Sequence, residues 1–92
     1  MITSFSHKGL RDFFETGTKK GILPDHAQRL RHILDLLNAA EHIKDMNFPG
    51  SDLHLLEPKQ DGVWAVKVKK NWRLTFIFEN GEARQVNYVD YH

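Results

Sequence analysis

The sequence contains no cysteine, which excludes a disulfide framework, a thiolate zinc site and a cysteine nucleophile. It also has no apolar run near the roughly 18 residues that a membrane-spanning helix needs. The first residues lack the apolar stretch of a secretory signal peptide. These absences favour a cytoplasmic protein with no membrane partner.

Cofactor motifs are missing too. There is no glycine-rich phosphate loop, no dinucleotide fingerprint and no Gly-x-Ser-x-Gly element, so we expect no cofactor. No pair of histidines has the i,i+4 spacing of a helical metal site, and we expect no metal. Four histidines fall on predicted helices and are expected at the surface: His7, His26, His32 and His42.

The chain has 92 residues, of which 40% are hydrophobic and 27% charged. These values are ordinary for a globular protein and predict one domain over residues 1–92. The net charge is only +1. Any nucleic-acid interaction must therefore come from a local cluster of cations.

The first half of the sequence predicts two helices. Ser6 is a candidate cap for a helix that begins at His7 and stops at Gly17, and residues 2–5 form either a short strand or an extended entry segment. A second helix starts at Asp25, which forms a capping-box pattern with Gln28. Its apolar residues have helical spacing over 27–40, and helical character extends to about residue 45.

From Trp64 the apolar residues alternate with a period of two, which predicts strands over 64–69, 72–79 and 83–89. Asn80-Gly81 is a strong hairpin signal. Helices followed by a strand meander predict an α+β fold, in which helices pack on one face of a small antiparallel sheet.

Burial of one face also predicts the register of the first hairpin. A three-residue loop of Lys69, Lys70 and Asn71, with Asn71 left-handed, keeps all apolar residues on one face. The opposed pairs are then Trp64–Phe76, Val66–Leu74, Val68–Trp72 and, on the other face, Lys67–Arg73. The register of the second hairpin stays open, because Asn-Gly favours two loop residues and the apolar pattern favours three.

Three groups of residues are candidates for chemistry. The hairpin cations Lys67, Lys69, Lys70 and Arg73 either hold phosphate oxygens or protect a solvated edge strand. The terminal Asp90, Tyr91 and His92 form either a proton-transfer site or a frayed tail. His54, which lies between leucines, is either catalytic or a hydrogen-bonded structural residue.

Short motifs run from one end of the chain to the other: SFSHKGL (4–10), FFETG (13–17), LHLL (53–56), WAVKV (64–68), NWRLTF (71–76) and NYVDYH (87–92). In this combination the sequence resembles the HigB toxins of the RelE superfamily. The resemblance implies helices on an antiparallel sheet and a ribosome-dependent endoribonuclease that cuts mRNA in the A site of the 70S ribosome. It also implies a HigA-like helix-turn-helix antitoxin as partner. The toxin would contact operator DNA only indirectly, through that antitoxin.

The resemblance further implies roles for single residues. His54, Asp90, Tyr91 and His92 match residues needed for cleavage, and Arg73 matches a phosphate-contacting arginine. His92 is the first choice for general acid or base and His54 the second. The neighbouring Lys67, Lys69, Lys70 and Asn71 are expected to contact RNA.

Two positions depart from the family pattern. Glu57-Pro58 stands where Lys-Gly is often found, with Lys59 close by, and Lys69 stands where arginine is common. Lysine cannot make the bidentate phosphate contact of arginine. The alternative hypothesis is therefore a catalytically weak or inactive homologue that binds the antitoxin or the ribosome. A third reading, a general RNA-binding domain, is disfavoured by the near-neutral charge.

Overall fold

The computed structural model describes residues 1–56 and 62–91 of the chain. Within these ranges, two α-helices precede a four-stranded antiparallel sheet. The helices are α1 (Lys8–Thr16) and α2 (Ala27–Ala39), and the strands, in spatial order, are β1 (His54–Leu55), β2 (Val63–Lys69), β3 (Trp72–Glu79) and β4 (Glu82–Asp90). The predicted α+β class is confirmed. The two-residue strand β1 was not predicted.

Helix α1 presents Leu10 and Phe13 to the core. It ends as predicted at Gly17, whose φ of 84° is the left-handed conformation that glycine adopts without strain. The predicted cap was wrong, because His7 and not Ser6 precedes the helix. The Nδ1 atom of His7 accepts a hydrogen bond of 2.9 Å from the Leu10 amide, the role usually taken by a short oxygen-bearing side chain.

Helix α2 begins later and ends earlier than its sequence pattern indicated. The predicted capping box at Asp25 was wrong, since a 3₁₀ turn over Pro24–His26 places Asp25 inside helical backbone. The helix stops at Ala39, and a second 3₁₀ turn follows at Ile43–Met46. The carboxylate of Asp45 explains the break, because it accepts hydrogen bonds of 3.0 and 3.1 Å from two amides that a continuous helix would use.

The hairpin between β2 and β3 confirms most of the predicted register. The observed pairs include Trp64–Phe76, Val66–Leu74 and Lys67–Arg73. The predicted Val68–Trp72 pair was wrong: a bulge between Lys67 and Lys69 places Trp72 opposite Lys69. The turn therefore has two residues, and Lys70 rather than Asn71 takes the positive φ, of 54°.

The hairpin between β3 and β4 also combines a tight turn with a bulge. Asn80 and Gly81 both have positive φ, 53° and 77°, as a type I′ turn requires. The register shifts between Thr75 and Ile77, where Gln85 on the facing strand has a φ of 53°. The extra residue is therefore accommodated within the strand and not in the loop, which resolves the open register.

The N-terminal segment lies parallel to β4 and joins it through two isolated bridges, Ile2 to Ala83 and Phe5 to Val86. The Ser4 hydroxyl accepts a hydrogen bond of 2.9 Å from the Gln85 amide, which satisfies the backbone at the bulge. The segment is thus extended and hydrogen-bonded without forming a regular strand.

The helices and one face of the sheet enclose the core. Its fully buried side chains include Leu30, Ile33, Leu34, Leu37, Val66, Leu74, Phe76 and Val86. The other face, here called the open face, carries the alternate residues of each strand, among them Lys67 and Arg73. Among residues 1–56 and 62–91, no helix has the length and apolar character needed to traverse a bilayer.

Gly9 in α1 touches the following loop so closely that a side chain has no room. A Cβ atom built on Gly9 would lie 2.6 Å from the Gly21 Cα and 2.8 Å from its carbonyl oxygen. Because both are backbone atoms, relief requires the loop to move. We therefore predict that Gly9→Ala lowers the free energy of unfolding by about 1–3 kcal/mol, measured by urea denaturation.

The matched control is Glu15→Ala, an exposed site on the same helix. It should change stability by less than about 0.5 kcal/mol. Because alanine has the higher intrinsic helix propensity, a Gly9→Ala variant more stable than the parent would show that the loop yields without cost.

Candidate active site at the hairpin end of the sheet

Arg73 lies on the open face of β3 and is half-buried. Its Nη1 donates hydrogen bonds to the carbonyl oxygens of Lys70, at 2.7 Å, and Trp72, at 3.2 Å. These contacts fix the guanidinium at the β2–β3 turn and use a single nitrogen. The planar group therefore retains donors suited to a phosphate.

Lys67 is directly opposite Arg73 and exposed, as predicted. Two cations at opposed positions repel each other unless solvent or an anion lies between them. Among the described residues, neither side chain forms an ion pair. The pair therefore gives this part of the open face a local positive charge.

His54 shares the open face with Arg73 but lies farther along the sheet. His54 pairs with Ala65 of β2, and Ala65 pairs with Thr75 of β3. Thr75 is two residues from Arg73 along β3. The strand spacings place the Cα atoms of His54 and Arg73 on the order of 10 Å apart. That gap can hold part of a nucleotide.

The imidazole of His54 is exposed and oriented by its own loop. Its Nδ1 lies 2.9 Å from the carbonyl oxygen of Asp52, so Nδ1 carries the proton and donates it. In the neutral ring Nε2 is then the nitrogen that can accept a proton.

The C-terminal candidates follow the end of β4. Asp90 pairs with Trp72, and the amide of Tyr91 donates a hydrogen bond of 2.8 Å to the Asn71 carbonyl. The segment is tied to the β2–β3 turn as far as Tyr91, so up to that residue it is not a frayed tail. His92, like Glu57, Pro58 and Lys59, lies outside the described residues.

The predicted site residues divide between the two faces of the sheet. His54, Lys67 and Arg73 belong to the open face, and Tyr91, directly after β4, is exposed. Asp90 shares the helix side with Trp72, and the bulge redirects Lys69 to that side. The turn residues Lys70 and Asn71 lie between the two groups.

A buried polar cluster behind this site was not predicted from the sequence. His26 was expected at the surface, yet it is only 5% exposed, and its Nδ1 lies 2.5 Å from the Tyr88 hydroxyl. The Tyr88 ring is 4.5 Å from that of Trp72 and 5.5 Å from that of His7, which is itself half-buried. One feature of the sequence could have indicated this cluster: Trp72 and Tyr88 carry polar N–H and O–H groups, which need hydrogen-bond partners when the rings are buried.

The electrostatics of the cluster keep both polar groups neutral. Burial lowers the pKa of His26 and the charge of Lys69 acts in the same direction, while Asp25 opposes them. Burial also raises the pKa of Tyr88, opposed by a hydrogen bond from the Leu23 amide and aided by the nearby Asp90 carboxylate.

The described part of the chain contains no group of three or more His, Cys, Asp or Glu side chains arranged to hold a metal ion. The candidate site offers Arg73, Lys67 and the oriented His54 imidazole on the open face, with Lys69 and the Asp90 carboxylate on the helix side.

Comparison with known proteins identifies the family. The family described as "RelE-like toxin of type II toxin-antitoxin system HigB" matches residues 3–92. The chain belongs to the HigB toxin family. Membership of a type II toxin–antitoxin family implies an antitoxin partner.

Individual HigB relatives cover most or all of the chain. "Endoribonuclease HigB" of Proteus vulgaris is 40% identical over 92 residues, all of both chains. "Toxin HigB-1" of Vibrio cholerae is 30% identical over all of this chain and 98% of its own length. An uncharacterized protein of Haemophilus influenzae is 33% identical over 87% of this chain and 80% of its own.

The buried His26 gives a pH-dependent stability with a definite sign. Its folded-state pKa lies below the ordinary 6.5 of an unfolded chain, so its contribution is complete above about pH 6.5. As the pH falls further, the unfolded chain takes up a proton that the folded chain does not. We predict that stability declines down to the folded-state pKa and that His26→Gln flattens this decline.

The measurement is urea denaturation at a series of pH values below neutrality. His32→Gln, at an exposed histidine of α2, serves as the control and should retain the parent slope. Equal slopes for the parent and His26→Gln would show that His26 does not titrate differently on folding.

Proposed function

We propose that this protein is a ribosome-dependent endoribonuclease that cleaves translated mRNA in the ribosomal A site without a metal ion. The observation that carries the proposal is the Arg73 guanidinium, held by two backbone carbonyls beside Lys67 on the face that also bears His54. The similarity to a full-length relative named an endoribonuclease supports it.

The proposed reaction needs only protons and positive charge from the protein. A base withdraws the proton of a ribose 2′-hydroxyl, the 2′-oxygen attacks the adjacent phosphorus, and the bond from phosphorus to the 5′-oxygen breaks. An acid then gives a proton to the departing 5′-oxygen. The products are a 2′,3′-cyclic phosphate and a 5′-hydroxyl, so atoms and charges balance.

The proposed roles rest on position for the described residues and on the family resemblance for His92. Arg73 binds the phosphate undergoing attack and stabilises its developing charge, and Lys67 adds a second cation. His92 is the proposed principal acid or base. His54 is the second candidate because Nε2 of its oriented ring can accept a proton.

The remaining site residues are proposed to hold the message. Lys69, Lys70 and Asn71 contact RNA at the turn. Asp90 orients an imidazole or contacts the message, and Tyr91, tied to the β2–β3 turn, completes the site.

Dependence on the ribosome is consistent with the charge of the chain. A net charge of +1 supplies little long-range attraction to free RNA. A ribosome that presents the message at high local concentration removes the need for that attraction. We therefore expect the protein to cleave an mRNA that is being translated and to leave the same RNA intact when it is free in solution.

The proposed partner is a HigA-like helix-turn-helix antitoxin, which alone would connect this protein to operator DNA. A neighbouring reading frame encoding such a protein can be tested by co-expression. Relief of growth arrest together with co-purification would support the assignment.

The second candidate function is a non-catalytic module that binds the antitoxin or the ribosome. The presence of Glu57 where the family often has lysine favours it, because a carboxylate near RNA phosphate weakens binding. Primer extension on translated mRNA separates the two functions, since a pure binding module stalls ribosomes without creating new 5′ ends.

We predict that Arg73→Ala lowers the rate of cleavage of translated mRNA by about 100-fold or more, because it removes a fixed donor to the reacting phosphate. Growth arrest on expression without antitoxin should be relieved in parallel. The control is Arg84→Ala, an exposed arginine near the opposite end of the same sheet, paired with Glu79. If Arg73→Ala cleaved at the parent rate, the phosphate would have to bind elsewhere.

We also predict the chemistry of the cut ends. The downstream fragment should accept a labelled phosphate from polynucleotide kinase without prior phosphatase treatment, because attack by the 2′-oxygen leaves a 5′-hydroxyl. The upstream fragment should carry a cyclic phosphate. A 5′-phosphate end would indicate attack by water and would refute the proposed route.

A further inference from the structure

A cavity of about 370 Å³ lies between the Pro24–His26 turn and the β2–β3 turn, on the helix side of the sheet. Trp72, Leu23 and Pro24 supply apolar walls, and His26 lies at its boundary. The exposed Lys69 and Lys70 line it as well, together with the Asp25 carboxylate. The roles proposed above give Lys69 and Lys70 an RNA contact but leave the rest of this cavity unused.

The indole of Trp72 is held firmly enough to act as a stacking surface. It packs against the Tyr88 ring at 4.5 Å and meets the His26 ring edge-on at 5.7 Å. Both neighbours belong to the buried cluster joined by the His26–Tyr88 hydrogen bond. Part of the indole nevertheless lines the cavity.

The charged groups restrict the ligand further. Lys69 and Lys70 favour a phosphate, but Asp25 in the same cavity disfavours a ligand that is only anionic. A ligand that satisfies all three has an anionic group and, separately, a hydrogen-bond donor for the carboxylate. A nucleotide whose base carries an exocyclic amino group has both, as well as a flat face that stacks on tryptophan.

We propose that this cavity is a nucleotide subsite in which a base bearing an amino group stacks on Trp72, donates to Asp25 and places its phosphate at Lys69 and Lys70. The subsite rests on the proposed function, since it would receive a nucleotide flanking the phosphate held by Arg73. Lys69 and Arg73 belong to the same hairpin but lie on different faces, so the RNA passes around the turn.

Binding can be measured without the ribosome by following the two tryptophan indole N–H signals in NMR spectra, assigned with Trp64→Phe. Titration of the full chain with cytidine monophosphate should shift the Trp72 signal to saturation in the millimolar range and leave Trp64 unmoved. Uridine monophosphate, which has no amino group, should bind several-fold more weakly. Inorganic phosphate should leave the Trp72 signal unmoved.

Two exposed-site variants test the assignment of roles. A Lys69→Ala, Lys70→Ala double variant should weaken cytidine monophosphate binding about tenfold, and Asp25→Asn should abolish the preference over uridine monophosphate. The matched control is Lys44→Ala, at an exposed lysine outside the cavity, which should bind as the parent does.

The outcomes separate this subsite from the catalytic proposal. If the parent cleaves translated mRNA but its Trp72 signal never responds to either nucleotide, the subsite is wrong and the endoribonuclease assignment stands. If cytidine monophosphate binds with the expected dependence but cleavage is absent, the catalytic proposal fails and the subsite stands. Equal binding of both nucleotides in parent and Asp25→Asn would overturn the base preference.

Discussion

The pairing of β3 with both of its neighbours is the constraint on which the rest of the structure depends. This strand contacts β2 and β4 along nearly its whole length and supplies both Arg73 and Trp72, on opposite faces. Each pairing contains one bulge. Without the bulge in β2, Lys69 would follow Lys67 onto the open face, and the cations would form one group there.

The same two bulges mark the limit of what the sequence can predict. Alternation of apolar residues was sufficient for the α+β class and for the Lys67–Arg73 pair, because burial of one face penalises any slip by one residue. Alternation does not say whether an extra residue sits in a loop or within a strand. That choice depends on whether a distant group can hydrogen-bond the extra residue's backbone, as the Ser4 hydroxyl does for the Gln85 amide.

The helix boundaries were missed for a related reason. Local patterns at Ser6, Asp25 and Asp45 allow several hydrogen-bonding arrangements, and the observed one is selected by the surrounding fold. For the candidate site, the sequence could predict Arg73 and Lys67 through their strand positions, and His54 only through the family resemblance. It could not predict the partnership of His26 and Tyr88, which are 62 residues apart.

Although the net charge is only +1, positive and negative side chains are concentrated at opposite ends of the sheet. Lys67, Lys69, Lys70 and Arg73 are concentrated at the β2–β3 turn. At the other end of β3, Glu79 lies opposite Glu82, and Arg84 offsets only part of that charge. A chain with such a separation of charge is oriented by an RNA surface even where its total charge gives weak attraction. In the proposed function, the end that turns toward the phosphates is the one at which Arg73, Trp72 and the start of the C-terminal segment meet.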